Sequence, residues 1–437
     1  MTETAQPETT QTETAQPGTA QPGTAPTETA AAGTPRSHWD DAGVATAQEL
    51  AHWSAIAEQV AETLAADAIE RDRANQTPHT EAKLLKDSGL VTLLVPQEFG
   101  GGGGHWSTAL TVVRILARAD ASIAQLLAYH YVNEGNIVFT ITDPAERERW
   151  FRATVQGQWI WGDSVNPTDP DLTLVPEGEG WVLNGKKRYS TGSAVGDALL
   201  VNARITAGPE EGRILAFVLE NGREGVTYVD DWDFLGQRLS SSNTVTYQDV
   251  RITGNDVLGY LSDEPYSSLV TPGIQLAFGN LYLGIAEGAL NKARDLINAR
   301  PNAWFLSTAE KYRHDPFVQR LVGDFKSQTA AVAALAEKVN RRFDEVLALG
   351  ARVTTQIRGE LAIEIAELKV ISSDVATQLT HQIFEATGTS STASKHGFDL
   401  YWRNIRTHSL HDPVDYKKLE VGAHFLNGEF QPLSLYT

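Results

Sequence analysis

GWVLNGKKRYSTG, residues 180–192, is a short β-rich run punctuated by asparagine and glycine, and its reading decides the architecture. It has company on both sides. WIWGDS (159–164), ALLVNARI (198–205), RILAFVLE (213–220), TYVDDW (227–232) and TVTYQDVRI (244–252) share its composition and its turn-forming boundaries. About six or seven such runs in roughly a hundred residues predict a small antiparallel barrel or sandwich. The change from helical to strand-like period falls near Gln158.

Outward from this block the pattern is helical. Leu50, Trp53, Ile56, Ala57, Val60 and Leu64 recur at three- and four-residue steps. Thr80 to Ser88, stopped by Gly89, Ala109 to Arg118 and Ile123 to Val138 continue the series. LLVPQEFGGGGG (93–104) reads as a strand-like apolar turn into a glycine run. That run has neither P-loop nor G-x-G-x-x-G spacing. After Gly259 helices return over Leu276 to Ala299, Phe317 to Leu349 and Thr355 to Ala386. The expectation is an α+β chain: a tail over 1–37, helices over 38–157, a β-domain over 158–262 and a helical bundle over 263–437. The tail, a Thr/Ala/Gln/Pro/Glu repeat, is too poor in large apolar residues to offset the entropy of ordering.

The 437 residues carry a net charge of −19, which argues against nucleic-acid and anionic-membrane partners. No apolar run approaches a membrane span on this reading, and MTETAQPETTQ lacks the features of a secretory signal, so a cytoplasmic protein is expected. Cysteine is absent and Met1 is the sole methionine. Disulfides, thiolate catalysis and cysteine-ligated metals are thereby excluded. Scarce sulfur accords with synthesis under sulfur limitation, and equally with compositional bias.

One stretch near the C-terminal end carries chemistry: WRNIRTHSLHDPVDYK, residues 402–417. His408 and His411 are spaced to share a helix face, Arg403 and Arg406 repeat the step, and Pro413 ends the helix. An imidazole at a helix end suits proton transfer. A packed, hydrogen-bonded His pair is the alternative, and His-x-x-His-Asp as a metal site is a third, without a second cluster of ligands.

The α–β–α order, with LLVPQEFGG (93–101), GWVLNGKKRYSTGSAVGD (180–197), YQDVRITGNDVLG (247–259) and LYLGIAEGALNKARDLINAR (281–300), resembles the acyl-CoA dehydrogenase superfamily over about residues 40 to 430. AYHYVN (128–133), VDDWDFLGQR (229–238), GFDLYWRNIRTHSLHDPV (397–414) and AHFLNGEF (423–430) are most similar to its flavin-dependent dibenzothiophene monooxygenase branch. The resemblance implies a helical N-terminal domain, a middle β-barrel domain and a C-terminal four-helix bundle, assembled as a homotetramer with flavin at a subunit interface. It also implies reduced FMN delivered by a separate NAD(P)H-dependent reductase, in keeping with the missing nicotinamide fingerprint. With O2 this flavin forms a hydroperoxyflavin, which oxidises the sulfur of an aromatic thioether to sulfoxide and sulfone.

By the same resemblance His411 is the proton donor or peroxide stabiliser, and Thr191 hydrogen-bonds the flavin ring. Tyr129 and Asn133 line the cavity, Trp232 is a wall residue and His408 stands beside the flavin. Arg300 opens the phosphate-binding loop that Ser390 shares. Three positions depart from the branch: Asp163 replaces asparagine, Ser390 replaces arginine and Gln125 replaces histidine. The dehydrogenases' tyrosine-glutamate-glycine setting is also missing, and His411-Asp412-Pro413 stands in that region. Alternatives are N-oxygenation of an amine or amino-sugar on the same fold, an FAD acyl-CoA dehydrogenase, and a non-catalytic flavin- or metal-binding scaffold.

Overall fold

The computed structural model describes residues 37–166, 171–434 and 436–437. The expected tail therefore lies outside the described residues, apart from Ser37, whose buried hydroxyl meets the Tyr266 hydroxyl at 2.8 Å. Six helices come first: α1 (Ala47–Ala65), α2 (Ala68–Ala74), α3 (His79–Asp87), α4 (Trp106–Ala117), α5 (Ala121–Phe139) and α6 (Pro144–Gly157). Local chemistry sets their ends. Thr46 caps α1, and Asp120 caps α5 by accepting from the Ser122 and Ile123 amides. Asp143 caps α6, which opens on Pro144.

The strand-like reading of LLVPQEFGGGGG is corrected by the structure. Two 3₁₀ turns, Leu90–Thr92 and Gln97–Phe99, flank Pro96, and the glycines fold back on residues 92–95. The Gly102, Gly103 and Gly104 amides donate to the carbonyls of Thr92, Val95 and Leu93. A Cβ on Gly101 would stand 2.3 Å from the Val95 carbonyl oxygen, so the run serves close backbone approach.

Eight strands follow among the described residues: β1 (Trp161–Ser164), β2 (Leu172–Glu177), β3 (Gly180–Ser190), β4 (Ala198–Arg204), β5 (Ile214–Glu220), β6 (Val226–Tyr228), β7 (Asn243–Ile252) and β8 (Val257–Tyr260). They form two four-stranded sheets, β1-β4-β5-β8 and β2-β3-β7-β6. Leu174, Leu183, Val201, Phe217, Val245 and Val250 belong to the shared β-core. The strands pair antiparallel except β1 with β4, and a lone parallel bridge joins Leu174 to Ile205, both departures from the antiparallel expectation.

The C-terminal region holds α7 (Val270–Ala299), α8 (Pro316–Leu347), α9 (Thr355–Gln382), α10 (Phe384–Thr387), α11 (Asp399–His408) and α12 (Val414–Asn427). Helix α7 packs against α4, α5, α8 and α9, while α11 and α12 pack on α9. Contrary to the sequence reading, the segment Ser267–Ala299 is long and apolar enough to cross a membrane, but most of it is buried inside this protein. Helix α5 joins the layers, since all its residues are buried. The His130 Nδ1 accepts from the Trp161 amide of β1 at 3.0 Å. The protein is thus α+β, with helical regions on either side of a sheet-containing middle.

Candidate active site

Four elements converge where α5 meets the β-layer. Gln125, Tyr129 and Asn133 lie four residues apart along α5, hence on one face. Gln125 Nε2 donates to Thr191 Oγ1 at 3.1 Å, and that hydroxyl meets Ser242 Oγ at 2.8 Å. From β1, Asp163 takes the Thr191 carbonyl through its backbone amide at 2.8 Å. Helix α7 supplies Phe278, whose ring centre lies 5.8 Å from Tyr129, 4.7 Å from His408 and 5.1 Å from His411. His411 stands 6.3 Å from Tyr129, so Tyr129 and both histidines are brought together.

The histidines do not share a helix, as the spacing predicted. Helix α11 ends at His408, and His411 sits in the following turn, its amide donating to the His408 carbonyl at 3.0 Å. That i to i+3 bond keeps the rings 5.8 Å apart and within 11° of parallel. His408 is buried; its Nδ1 lies 3.0 Å from the Tyr282 hydroxyl, and its Nε2 has no partner. Burial, with His411 and Lys369 nearby, pushes its pKa well below the imidazole range, so the ring is neutral. His411 is the open member, its side chain 35% exposed, and Nδ1 lies 3.3 Å from Asp412.

Burial pushes Asp163 up to about 6, against the pull of Lys187 and His411. Its native proton therefore outlasts that of the unfolded chain, and stability is lost as pH rises between about 4 and 6. Asp163→Asn should gain on wild type by about 2 kcal/mol between pH 4 and pH 7 in urea unfolding. A constant difference across that range would refute the burial argument.

Of the other expected residues, Trp232 reaches the cluster through the Gln237 carbonyl, which also accepts from Ser240, whose hydroxyl meets Ser242. Trp232 is half-buried; it stacks on Phe234 at 4.0 Å and donates to the Gln237 carbonyl at 2.7 Å. Arg300 lies beyond the end of α7, about 33 Å along the axis from Phe278 at 1.5 Å per residue. Its guanidinium covers the Tyr312 ring at 4.0 Å and neighbours Gly388, close in sequence to the exposed Ser390. Arg300 thus borders the Gly388 turn that leads to Ser390.

Sequence reading missed Phe278, Ser242 and Lys369 as site residues. An apolar ring, a serine run and a mid-helix lysine carry no local signal of proximity. Lys369, on α9, is fully buried with Nζ 2.6 and 2.5 Å from the two Asp412 oxygens, and it also donates to Gln275 Oε1. Burial pushes the Lys369 ammonium down to about 8. Burial alone would raise the Asp412 carboxyl, but His411 and Lys369 hold it well below the carboxylate range.

Gln125 Oε1, Asp163 Oδ1 and His408 Nε2 are buried without partners, on three elements bordering one cluster. A heteroaromatic ring with acceptors and N–H groups along its edge, such as a flavin, fits that donor and acceptor set. A separate cavity of about 560 Å³ is lined by Glu58, Glu62, Asp72 and Asp120 together with Arg118 and Lys292, a setting of mixed charge. No group of metal-ligating side chains occurs among the described residues.

Models of the acyl-CoA dehydrogenase N-terminal, middle and C-terminal domains match residues 46–158, 164–250 and 276–416. The probable FMNH2-dependent monooxygenase SfnC of Pseudomonas putida is 37% identical over 88% of this chain and 97% of its own. FMN-bound TdsC, a dibenzothiophene monooxygenase of Paenibacillus sp. A11-2, superposes with a TM-score of 0.85 at 35% identity, covering 89% and 100% of the two chains. Methanesulfinate monooxygenase MsuC of Pseudomonas fluorescens gives 0.84 at 34% identity, covering 87% and 98%. This chain therefore belongs to the acyl-CoA dehydrogenase family, within its group of flavin-dependent monooxygenases.

Proposed function

We propose that the protein is the oxygenase of a two-component system that uses reduced FMN and O2 to oxidise the sulfur of an organosulfur aromatic such as dibenzothiophene. The carrying observation is the Tyr129–Phe278–His408–His411 cluster, an aromatic enclosure with a neutral and an openly placed imidazole. FMN, when bound, supplies the oxygen-activating chemistry, and a separate NAD(P)H-dependent reductase supplies its electrons. The chain's own residues orient the ring through Gln125, Thr191 and Asn133, exclude water through Phe278 and Tyr129, and handle the proton at His411. Burial holds Asp163 above the usual carboxylate range, and an anionic ring beside it would favour its protonated form further.

Asp412 is a poor base for a dehydrogenase, because Lys369 pairs with both its oxygens and, with His411, holds its carboxyl well below the usual range. Arg300 and Ser390 serve the phosphate of a flavin held by a neighbouring copy, which calls for a homo-oligomer, a tetramer by family habit. The domain limits 38–157, 158–262 and 263–437 follow the helix–strand–helix changes, and a cytoplasmic setting suits the reductase.

The test is mass spectrometry of products from aromatic thioethers, alkanesulfinates and amines, each supplied with FMN and a flavin reductase. Sulfoxide and sulfone from dibenzothiophene support the reading. Turnover of sulfinates alone moves the substrate toward that of MsuC, and N-oxides alone replace sulfur oxidation by amine oxidation.

A further inference from the structure

Lys369 is an anomaly for a helical bundle: its side chain is fully buried in the middle of α9. A cation there costs several kcal/mol unless it is paired, and a pair of apolar residues would serve packing as well or better. What it pairs with is the informative part. Asp412 follows His411 directly in the chain, and its Oδ1 stands 2.6 Å from Lys369 Nζ and 3.3 Å from His411 Nδ1. The second oxygen also meets Lys369, at 2.5 Å, and Gln275 accepts from the same ammonium. Phe278 links the groups physically, with its ring 5.5 Å from Lys369 Nζ and 5.1 Å from the His411 ring.

We propose that Lys369 and Asp412 form a buried positioning pair for His411, in which the lysine keeps the aspartate an acceptor and the aspartate keeps a proton on Nδ1. An ionised carboxylate has no hydrogen to give, so the Nδ1 that faces it carries one. Any proton that His411 gives or takes then passes through Nε2, the atom turned from the pair. When the imidazolium releases the Nε2 proton it becomes the neutral Nδ1–H form that Asp412 already holds, so no tautomer change follows. Lys369 remains an ammonium and Asp412 a carboxylate throughout. The logic matches the aspartate that fixes the histidine of a serine-protease triad, with a buried lysine added to hold the carboxylate charged. The pair are positioning residues, and the inference rests on His411 being the proton-handling group.

The experiment uses the full chain with ¹⁵N-labelled histidine and no flavin, the His411 resonances being assigned by their loss in His411→Ala. The expected result is an Nδ1–H neutral form in the wild type. In Asp412→Asn an amide N–H faces the ring, and the expected form is Nε2–H. Supplied with reduced FMN, Asp412→Asn and Lys369→Met should each lose product formation by a factor on the order of 10²–10⁴, with FMN affinity retained. The double variant should be no worse than Asp412→Asn, because residues acting as one unit do not lose twice. That variant removes both charges together, which keeps the test usable should a single variant fail to fold. An unchanged tautomer in Asp412→Asn, or multiplicative losses in the double variant, overturns the pairing. Full activity in His411→Ala instead overturns the role given to His411, while the resonances still report whether the pair fixes the ring.

Discussion

His411→Ala removes product formation, by a factor on the order of 10²–10⁴, and leaves the folded chain and its FMN binding in place. The separation follows from where the side chain sits. His411 is 35% exposed, and its one polar contact, to Asp412, is 3.3 Å long. The bond that orders the turn is its backbone amide to the His408 carbonyl, which alanine keeps. Asp412 retains Lys369, so no buried charge is stranded. Stability should therefore move by no more than about 0.5 kcal/mol, as for an ordinary surface change. The check is product yield per reduced FMN, beside a urea titration and an FMN binding curve. Undiminished yield removes His411 from the chemistry. A parallel collapse of stability would make the histidine a packing element, the alternative its spacing left open.

Gly236→Val should have the opposite profile, a loss of stability with activity following. The segment carrying Trp232 and Phe234 lies on α11 at this glycine. A Cβ there would stand 2.1 Å from the Arg403 carbonyl oxygen and 2.7 Å from the Asn404 nitrogen. Both are backbone atoms of the helix that ends in His408, so neither can swing aside. The neighbouring bond from the Gln237 amide to Asn404 Oδ1, 2.8 Å long, would part as the segment lifts. A cost of about 2–4 kcal/mol is expected, read as a lower urea midpoint. Gly323→Ala is the matched control. It lies within α8 with nothing within 4 Å of an added Cβ, and should stabilise by about 1 kcal/mol. Equal midpoints for the two variants would show that the segment does not rest on α11.

Much of the architecture was legible because its signal is local. A helix shows its buried face every three or four residues, so α1, α5, α8 and α9 could be read directly, and the switch near Gln158 marked the start of the β-layer. The glycine run misled for a related reason. Apolar residues before glycines look like a strand end, yet these glycines were spent on folding back against Leu93 and Val95. Their partners lie too near for strand pairing, which only the folded turn reveals.

The site divides along the same line. His408 and His411 announced themselves because they stand three positions apart, and Tyr129 and Asn133 through the family resemblance of AYHYVN. Lys369 and Asp412 are 43 positions apart, and Gln125 and Thr191 are 66 apart. No periodicity links such pairs, since α9 and the turn after α11 meet only through the packing of the bundle. Likewise the sequence does not say how far Arg300 stands from the imidazoles, whereas the length of α7 puts it about 33 Å along the axis from Phe278. Order and type of element, and the imidazoles themselves, were written in the chain. Which buried charge faces which imidazole was decided by tertiary packing, because contact across a core depends on helix length and crossing and not on distance along the backbone.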